Sequence, residues 1–356
     1  MSHPLTIGIV PLTDCAPIAV AAELGYYADE GLEVTVSREP SWAGVRDKLS
    51  FGLLDAAHLL APMALAMELG LTGAGPQAVV AGLSLGYNGN AITISRALAD
   101  EVAAGLPRGL DDDRPLSASA LRPAIDRRAR DGLAPLTFGV VFAFSSHHYQ
   151  LRHWLRAGDV DVDAEIALRV VPPPQVADQL AIGNLDGFCV GEPWNTVAVR
   201  RGVGRAVVAG AELWRDGPEK VLAVRGDFAR GRPDEHAALL RATLRGCAWC
   251  GIPANHTALA ELLARPEYVG VDAADLRPAL TGHLPITPTL DRPVPALYQP
   301  AGGAANAPAA EHAAFLLDQM RLAGQLHGDA PGIDRRVYRH DLYAIAAEDA
   351  GLAATA

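Results

Sequence analysis

The chain has 356 residues, half of them apolar, so it can build one large or two medium cores, and its length favours about two domains. Its formal net charge of −11 argues against a nucleic-acid partner held through a general basic surface. No apolar run approaches the roughly 20 residues of a membrane-spanning helix, and four cysteines are too few for a disulfide framework in a chain of this size.

Met1-Ser2-His3-Pro4 leads straight into an apolar strand over Leu5 to Val10, with no basic stretch, long apolar segment or small-residue cleavage site, so a cytoplasmic chain is expected. Thr13-Asp14-Cys15-Ala16-Pro17 caps a helix that Gly25 ends, and Leu32 to Val36 alternates as a second strand. Further helices are predicted from Val45 and over Pro62 to Leu69, with strands over Leu53 to His58 and Val79 to Leu85. Alternating strands and helices imply a mostly parallel sheet with ligands outside the carboxyl ends of its strands. After the polar break Gly86 to Asn90 a new strand begins, read as the crossing into a second lobe. Residues 100–132 carry weak patterning apart from a helix around Ala118 to Arg130, and Asp111-Asp112-Asp113 reads as a solvated carboxylate run. Thr137 to Phe142 is a strand, and Ser145-Ser146-His147-His148 opens a helix, with His148 expected to be exposed.

Val170 and Val171 end the next strand, and Pro172, Pro173 and Pro174 then forbid both helix and central strand. A helix from Val176 stops at Gly183-Asn184, a buried strand runs to Val190, and Gly191-Glu192-Pro193-Trp194 starts another helix whose free N–H groups suit an anion. Arg205 to Val208 and Val221 to Val224 are strands, the second marking the return to the first lobe. Residues 233–263 read as helical, 266–303 as a proline-rich wrapping segment, and 311–326 and 333–350 as helices. Cys247-Ala-Trp-Cys250 has redox spacing but no second pair, and sits in a helical pattern that favours core packing.

VPPPQ followed by DGFCVGEPWN resembles the nitrate- and bicarbonate-binding solute-receptor family. TDCAPIAVAAELGYYADEGLEV (13–34), PSWAGVRDKLSFGLLDAAHLLAPM (40–63) and GAELWRDGPEKVLAV (210–224) resemble it in the same order. The resemblance implies an α/β, two-lobe fold of the type II periplasmic-binding-protein kind, each lobe a mostly parallel sheet flanked by helices with the ligand in the cleft. Residues 1–90 and 221–356 would form the first lobe and 91–220 the second. Hinge rotation would close such a cleft.

The same resemblance assigns pocket residues. Trp42 matches a tryptophan whose indole N–H donates to the anion, His147 a pocket histidine, and Gly191 a glycine whose backbone N–H reaches the ligand. Lys220 falls where nitrate receptors place a lysine and bicarbonate-binding relatives an acid. Asn90 departs from the family, standing where nitrate receptors carry a glutamine; it keeps the amide donor with a shorter reach. Gln175 and Glu192 are further candidates for orienting the site or holding the closed lobes together.

By resemblance, then, the chain is a cytoplasmic nitrate/nitrite sensor of the NasS type, neither enzyme nor cofactor protein. It would hold a NasT-type antiterminator inactive until ligand arrives, without touching nucleic acid or membrane itself. One alternative is the receptor of a nitrate ABC importer with its leader removed. Another is an enzyme resembling the thiamine-pyrimidine synthases, disfavoured because their Cys-rich iron motif and any Ser–His–acid or metal-ligand set are missing from the sequence.

Overall fold

The computed structural model describes residues 4–106, 109–110 and 114–352; the Asp111–Asp113 run lies outside them. In chain order the strands are β1 (Leu5–Ile9), β2 (Val34–Arg38), β3 (Ala56–Leu60), β4 (Val79–Ser84), β5 (Tyr87–Asn88), β6 (Asn90–Ser95) and β7 (Leu136–Val140). They continue as β8 (Ile166–Val170), β9 (Gly187–Gly191), β10 (Gly204–Ala209), β11 (Lys220–Arg225), β12 (His283–Thr287), β13 (Leu290–Pro293) and β14 (Tyr298–Gln299). The first five-stranded sheet has the order β2-β1-β3-β11-β4, and the second β10-β6-β9-β7-β8. Within the first sheet only β11 runs against its neighbours, and within the second only β6.

The inner strand β3, AAHLL, and the edge strand β4, VVAGLS, are buried along their whole length, as expected of a mostly parallel sheet covered by helices on both faces. Helix Ala16–Glu23 takes Pro17 in its first turn, where the missing N–H costs nothing, and Gly25 follows at φ 76°. It crosses helix Pro233–Cys250 so closely that a side chain at Gly246 would strike the Pro17 backbone carbonyl. The chain passes from β4 through β5 to β6, leaving the first sheet for the second, and returns from β10 to β11.

Several expectations need correction. Residues 233–263 form two helices, Pro233–Cys250 and His256–Leu263, because Pro253 disfavours helical geometry at Ile252. The weakly patterned region contains a further helix, Arg96–Gly105, capped by Ser95, whose side chain accepts from Leu98 N–H at 3.1 Å. The wrapping segment holds helix Ala273–Thr281 and the β12–β13 hairpin. Pro285 and Pro293 are tolerated there because each strand of a two-stranded hairpin keeps a free edge. Although this segment lies in the 221–356 stretch, it packs on the second sheet: Leu284, Ile286 and Leu297 share a core with Ala91, Val199 and Ala206. His148 is buried rather than exposed, and burial pushes its pKa down to about 4. Cys15, Cys189, Cys247 and Cys250 are all free thiols in the interior.

Candidate functional site

The two sheets aim their connections at a common centre. From the first, the turn Thr13–Cys15 after β1 presents Asp14, the helix after β2 begins at Trp42, β3 contributes His58, and β11 opens with Lys220 directly after Glu219. Ser41 fixes the start of the Trp42 helix by accepting from Gly44 N–H at 3.2 Å. From the second sheet, β6 opens with Asn90, β9 ends at Gly191, and the helix Ser146–Ala157 after β7 supplies His147 and Gln150. Asp14, Trp42, His58, Asn90, His147, Gln150, Glu219 and Lys220 are each at most 4% exposed.

Lys220 is the hub. Its Nζ lies 2.9 Å from Asp14 Oδ2, 2.5 Å from Glu219 Oε1 and 5.5 Å from the Trp42 ring centre. Asp14 Oδ1 is 3.0 Å from His58 Nε2, while His58 Nδ1 accepts from Val10 N–H at 3.4 Å. A neutral His58 therefore carries its proton on Nε2 and donates it to Asp14. Asn90 Nδ2 donates to Glu219 Oε2 at 2.5 Å and to Gln150 Oε1 at 3.0 Å. His147 Nδ1 stands 3.8 Å from Glu219 Oε1.

Burial opposes every charge in this cluster, and the neighbours decide which survive. For Asp14, Lys220 and His58 outweigh desolvation and hold the carboxyl well below the usual range. For Lys220, the two carboxylates outweigh desolvation and raise the pKa, so the ammonium is retained. For Glu219 desolvation wins and the pKa is raised in spite of Lys220. Desolvation, with Lys220 second, drives His147 well below the ordinary imidazole value, and desolvation lowers His58 as well.

Among the described residues, Trp42 Nε1, both ring nitrogens of His147, Asn90 Oδ1 and Thr13 Oγ1 are buried without a hydrogen-bond partner. Orphaned buried polar atoms are costly, and here they gather around one retained cation. Gly191 lets the backbone approach them: a Cβ there would stand 3.6 Å from His147 Nε2, 3.4 Å from Asn90 Oδ1 and 2.9 Å from Leu12 Cδ2. A buried ammonium, an indole N–H and an imidazole suit a small anion, bound through charge-assisted hydrogen bonds. Among the described residues, no group of three or more His, Cys, Asp or Glu is arranged to hold a metal ion.

Trp42, Asn90, His147, Gly191 and Lys220 thus come together. Gln175 does not join them; it is exposed on the turn Pro173–Gln175. Glu192 is buried but serves its own helix: its Oε2 accepts from Thr196 N–H at 3.2 Å and Thr196 Oγ–H at 2.8 Å. The helix start expected to hold an anion is therefore already served by a carboxylate, whose pKa burial pushes up to about 7. Asp14, His58, Gln150 and Glu219 complete the cluster and were not among the sequence candidates. A lone histidine inside the apolar run AAHLL was the available signal for His58.

The lobes meet around the site. Thr13 N–H donates to Glu192 O at 2.8 Å, Trp194 Nε1–H to Pro11 O at 2.8 Å, and Tyr149 O–H to Gln325 Oε1 at 2.7 Å. Two cavities lie elsewhere, one of about 640 Å³ beside β4 lined by Arg230, His236, Arg336 and Arg339, and one of about 420 Å³ between Arg96, Arg205 and Ile286. Neither gathers an enclosed cation with orphaned donors, so the buried cluster is the better candidate.

Two five-stranded sheets of one topology, crossed twice by the chain and closed over a buried charged cluster, define a two-lobe fold of the periplasmic-binding-protein kind. Residues 2–264 match the NMT1-like family, and the chain belongs to it. It is 41% identical over 266 residues to the bicarbonate transport ATP-binding protein CmpC of Synechococcus elongatus, covering 74% of this chain and 38% of that protein. It is 32% identical to the nitrate/nitrite binding protein NrtA of a Nostoc species, over 78% of this chain and 61% of that one. The crystal structure of the periplasmic nitrate-binding protein NrtA from Synechocystis superposes with a TM-score of 0.89 at 27% identity, covering 97% of this chain and 88% of that one. The chain thus spans about two-fifths of the transport ATP-binding protein and about three-fifths of the Nostoc receptor it matches. Among the described residues no helix is long and apolar enough to cross a membrane.

Proposed function

We propose that the chain is a receptor for nitrate or nitrite, held between its lobes and left chemically unchanged. The observation that carries this reading is the buried Lys220 ammonium, 5.5 Å from the Trp42 ring centre, in a cluster where Trp42 Nε1 and the ring nitrogens of His147 have no hydrogen-bond partner. Trp42, His147, Lys220, Asn90 and the Gly191 backbone are the binding residues, with Asp14, His58, Gln150 and Glu219 orienting them. The similarity to proteins named as nitrate/nitrite binding supports the ligand class. Residues 1–89 and 219–356 act as one lobe and 90–218 as the other, one or two residues from the bounds the resemblance implies, because Asn90 opens a strand of the second sheet and Lys220 one of the first, and residues 273–297 travel with the second. An affinity on the order of micromolar, about 8 kcal/mol, is expected for so small an anion.

In this reading the receptor is a cytoplasmic sensor. Ligand shifts the balance of open and closed lobes, and a NasT-type antiterminator reads the difference because it binds the two states unequally. Service as the receptor of a nitrate importer would use the same cleft. Bicarbonate is a second ligand reading, favoured by the 41% identity to part of a bicarbonate transport protein and by Glu219, which can accept the O–H that bicarbonate has and nitrate lacks.

Calorimetric titration with nitrate, nitrite and bicarbonate, on the native chain and on Lys220→Glu with its fold checked by circular dichroism, tests the assignment. Nitrate or nitrite should bind and the folded variant should not. Binding of bicarbonate alone moves the assignment to the second reading, and silence with all three removes it.

A further inference from the structure

We propose that capture of the anion takes up one proton from solvent and that Glu219 holds it, an inference that rests on the nitrate/nitrite reading above. The geometry sets a charge problem. Lys220 Nζ sits within ion-pair distance of both Asp14 and Glu219, so one ammonium already faces two carboxyl groups in a dry interior. A monoanion entering beside Lys220 would add a further negative charge where little solvent screens it. Uptake of one proton leaves the charge of the site unchanged.

Each group facing this point can be tried as the proton's home. Lys220 is already an ammonium. His58 cannot take it without losing the Val10 N–H that its Nδ1 accepts. Asp14 receives both Lys220 and His58 and is held ionised by them. His147 faces the positive Lys220 and is disfavoured as a cation by it and by burial. Cys189 on β9 and Tyr338 on the C-terminal chain feel the Glu219 charge, and both are neutral groups with raised pKa values that have no proton to gain. Glu219 remains. Its Oε2 accepts from Asn90 Nδ2–H and its Oε1 from Lys220 Nζ–H, and a carboxyl oxygen with one donor keeps a lone pair, so the proton can be placed on Oε1, the oxygen 3.8 Å from His147 Nδ1. Burial already favours that form. Once protonated, the Glu219 carboxyl has an O–H to donate, which the carboxylate lacks.

The proton also distinguishes ligand classes. Nitrate, the anion of a strong acid, brings no proton, so one moves from buffer to Glu219 Oε1. Bicarbonate brings its own O–H, which the ionised Glu219 can accept, so none is needed. The sign follows by linkage: a bound anion raises the Glu219 pKa further, so nitrate affinity falls as pH rises above the free protein's value, by up to about tenfold per pH unit.

The test is calorimetric titration of nitrate into the full chain in phosphate and in Tris, which differ in ionisation enthalpy, at about pH 7 and about pH 8. The expected result is a buffer-dependent heat that reports proton uptake on binding, up to one proton per anion, with weaker binding at the higher pH. Glu219→Gln, which keeps a donor and removes the charge, should bind with no uptake and with affinity flat across that range. Nitrate binding by the native chain without proton uptake overturns the proposal, as does uptake that persists in a folded Glu219→Gln; the first needs no variant. Absence of any nitrate or nitrite binding is a different outcome, which removes the receptor reading and this inference with it.

Discussion

Laid side by side, β2-β1-β3-β11-β4 and β8-β7-β9-β6-β10 trace one path, yet they bring different chemistry to the cleft. The turn after β1 carries Asp14, and the helix after β7 carries His147. The strand arriving from the other lobe opens with Lys220 in the first sheet and with Asn90 in the second. Asp14, Glu219 and Lys220, the cluster's ion-pairing groups, all belong to the first-lobe side, while the second side offers an imidazole, two amides and a glycine backbone. The lesson is a division of labour. Ion pairs are assembled on one side of the cleft, and the two amides, the His147 imidazole and the Gly191 backbone come from the other.

The largest expected break in that division is Lys220→Met. Removing the ammonium leaves Asp14 and Glu219 facing each other in the interior, at a cost of about 3–5 kcal/mol, together with loss of anion binding. Urea unfolding measures the first; a loss under about 1 kcal/mol would mean that the first lobe does not depend on its internal charge pairing. Gly191→Ala is a smaller and more selective perturbation. The new methyl would press Leu12 across the lobe boundary, 2.9 Å from its Cδ2, and overpacking of that kind costs about 1–3 kcal/mol. Because the strain falls on closure, titration should show anion affinity reduced about tenfold or more, and unchanged affinity would detach Gly191 from the site. Gln175→Ala should do least. The side chain is exposed on its turn, and both stability and affinity should stay within about 0.5 kcal/mol of the native chain; a larger loss of affinity would return Gln175 to the closed cleft.

Much of this arrangement could be read from the residues. Apolar runs bounded by glycine and proline located the strands of both sheets to within a few residues, because strands buried on both faces leave little room for polar residues. The elements missed had weaker signals. Helix Arg96–Gly105 is mostly Ala, Asp and Glu and buries only a narrow face, and the β12–β13 hairpin is interrupted by prolines that its free edges tolerate. In the site, Trp42, His147 and Lys220 were legible through the motifs around them. Asp14, Glu219 and His58 were not, since their meaning lies in pairings: Lys220 and Asp14 are far apart in sequence and 2.9 Å apart in space. Glu192 divides by atom. Its side chain accepts from Thr196 at its own helix start, while its carbonyl accepts from Thr13 N–H of the other lobe, and the sequence does not separate those two roles.

The hydrogen bond from Trp194 to the Pro11 carbonyl joins residues 183 positions apart, one from each lobe, and it gives the molecule an optical gauge of its own posture. While the lobes are shut the indole is almost fully enclosed, and a hinge opening that parts them would free its N–H and admit water to the ring. Emission from that tryptophan should then move to longer wavelength as the cleft opens and back as anion is added. The opening and closing could be followed in solution without attaching a dye.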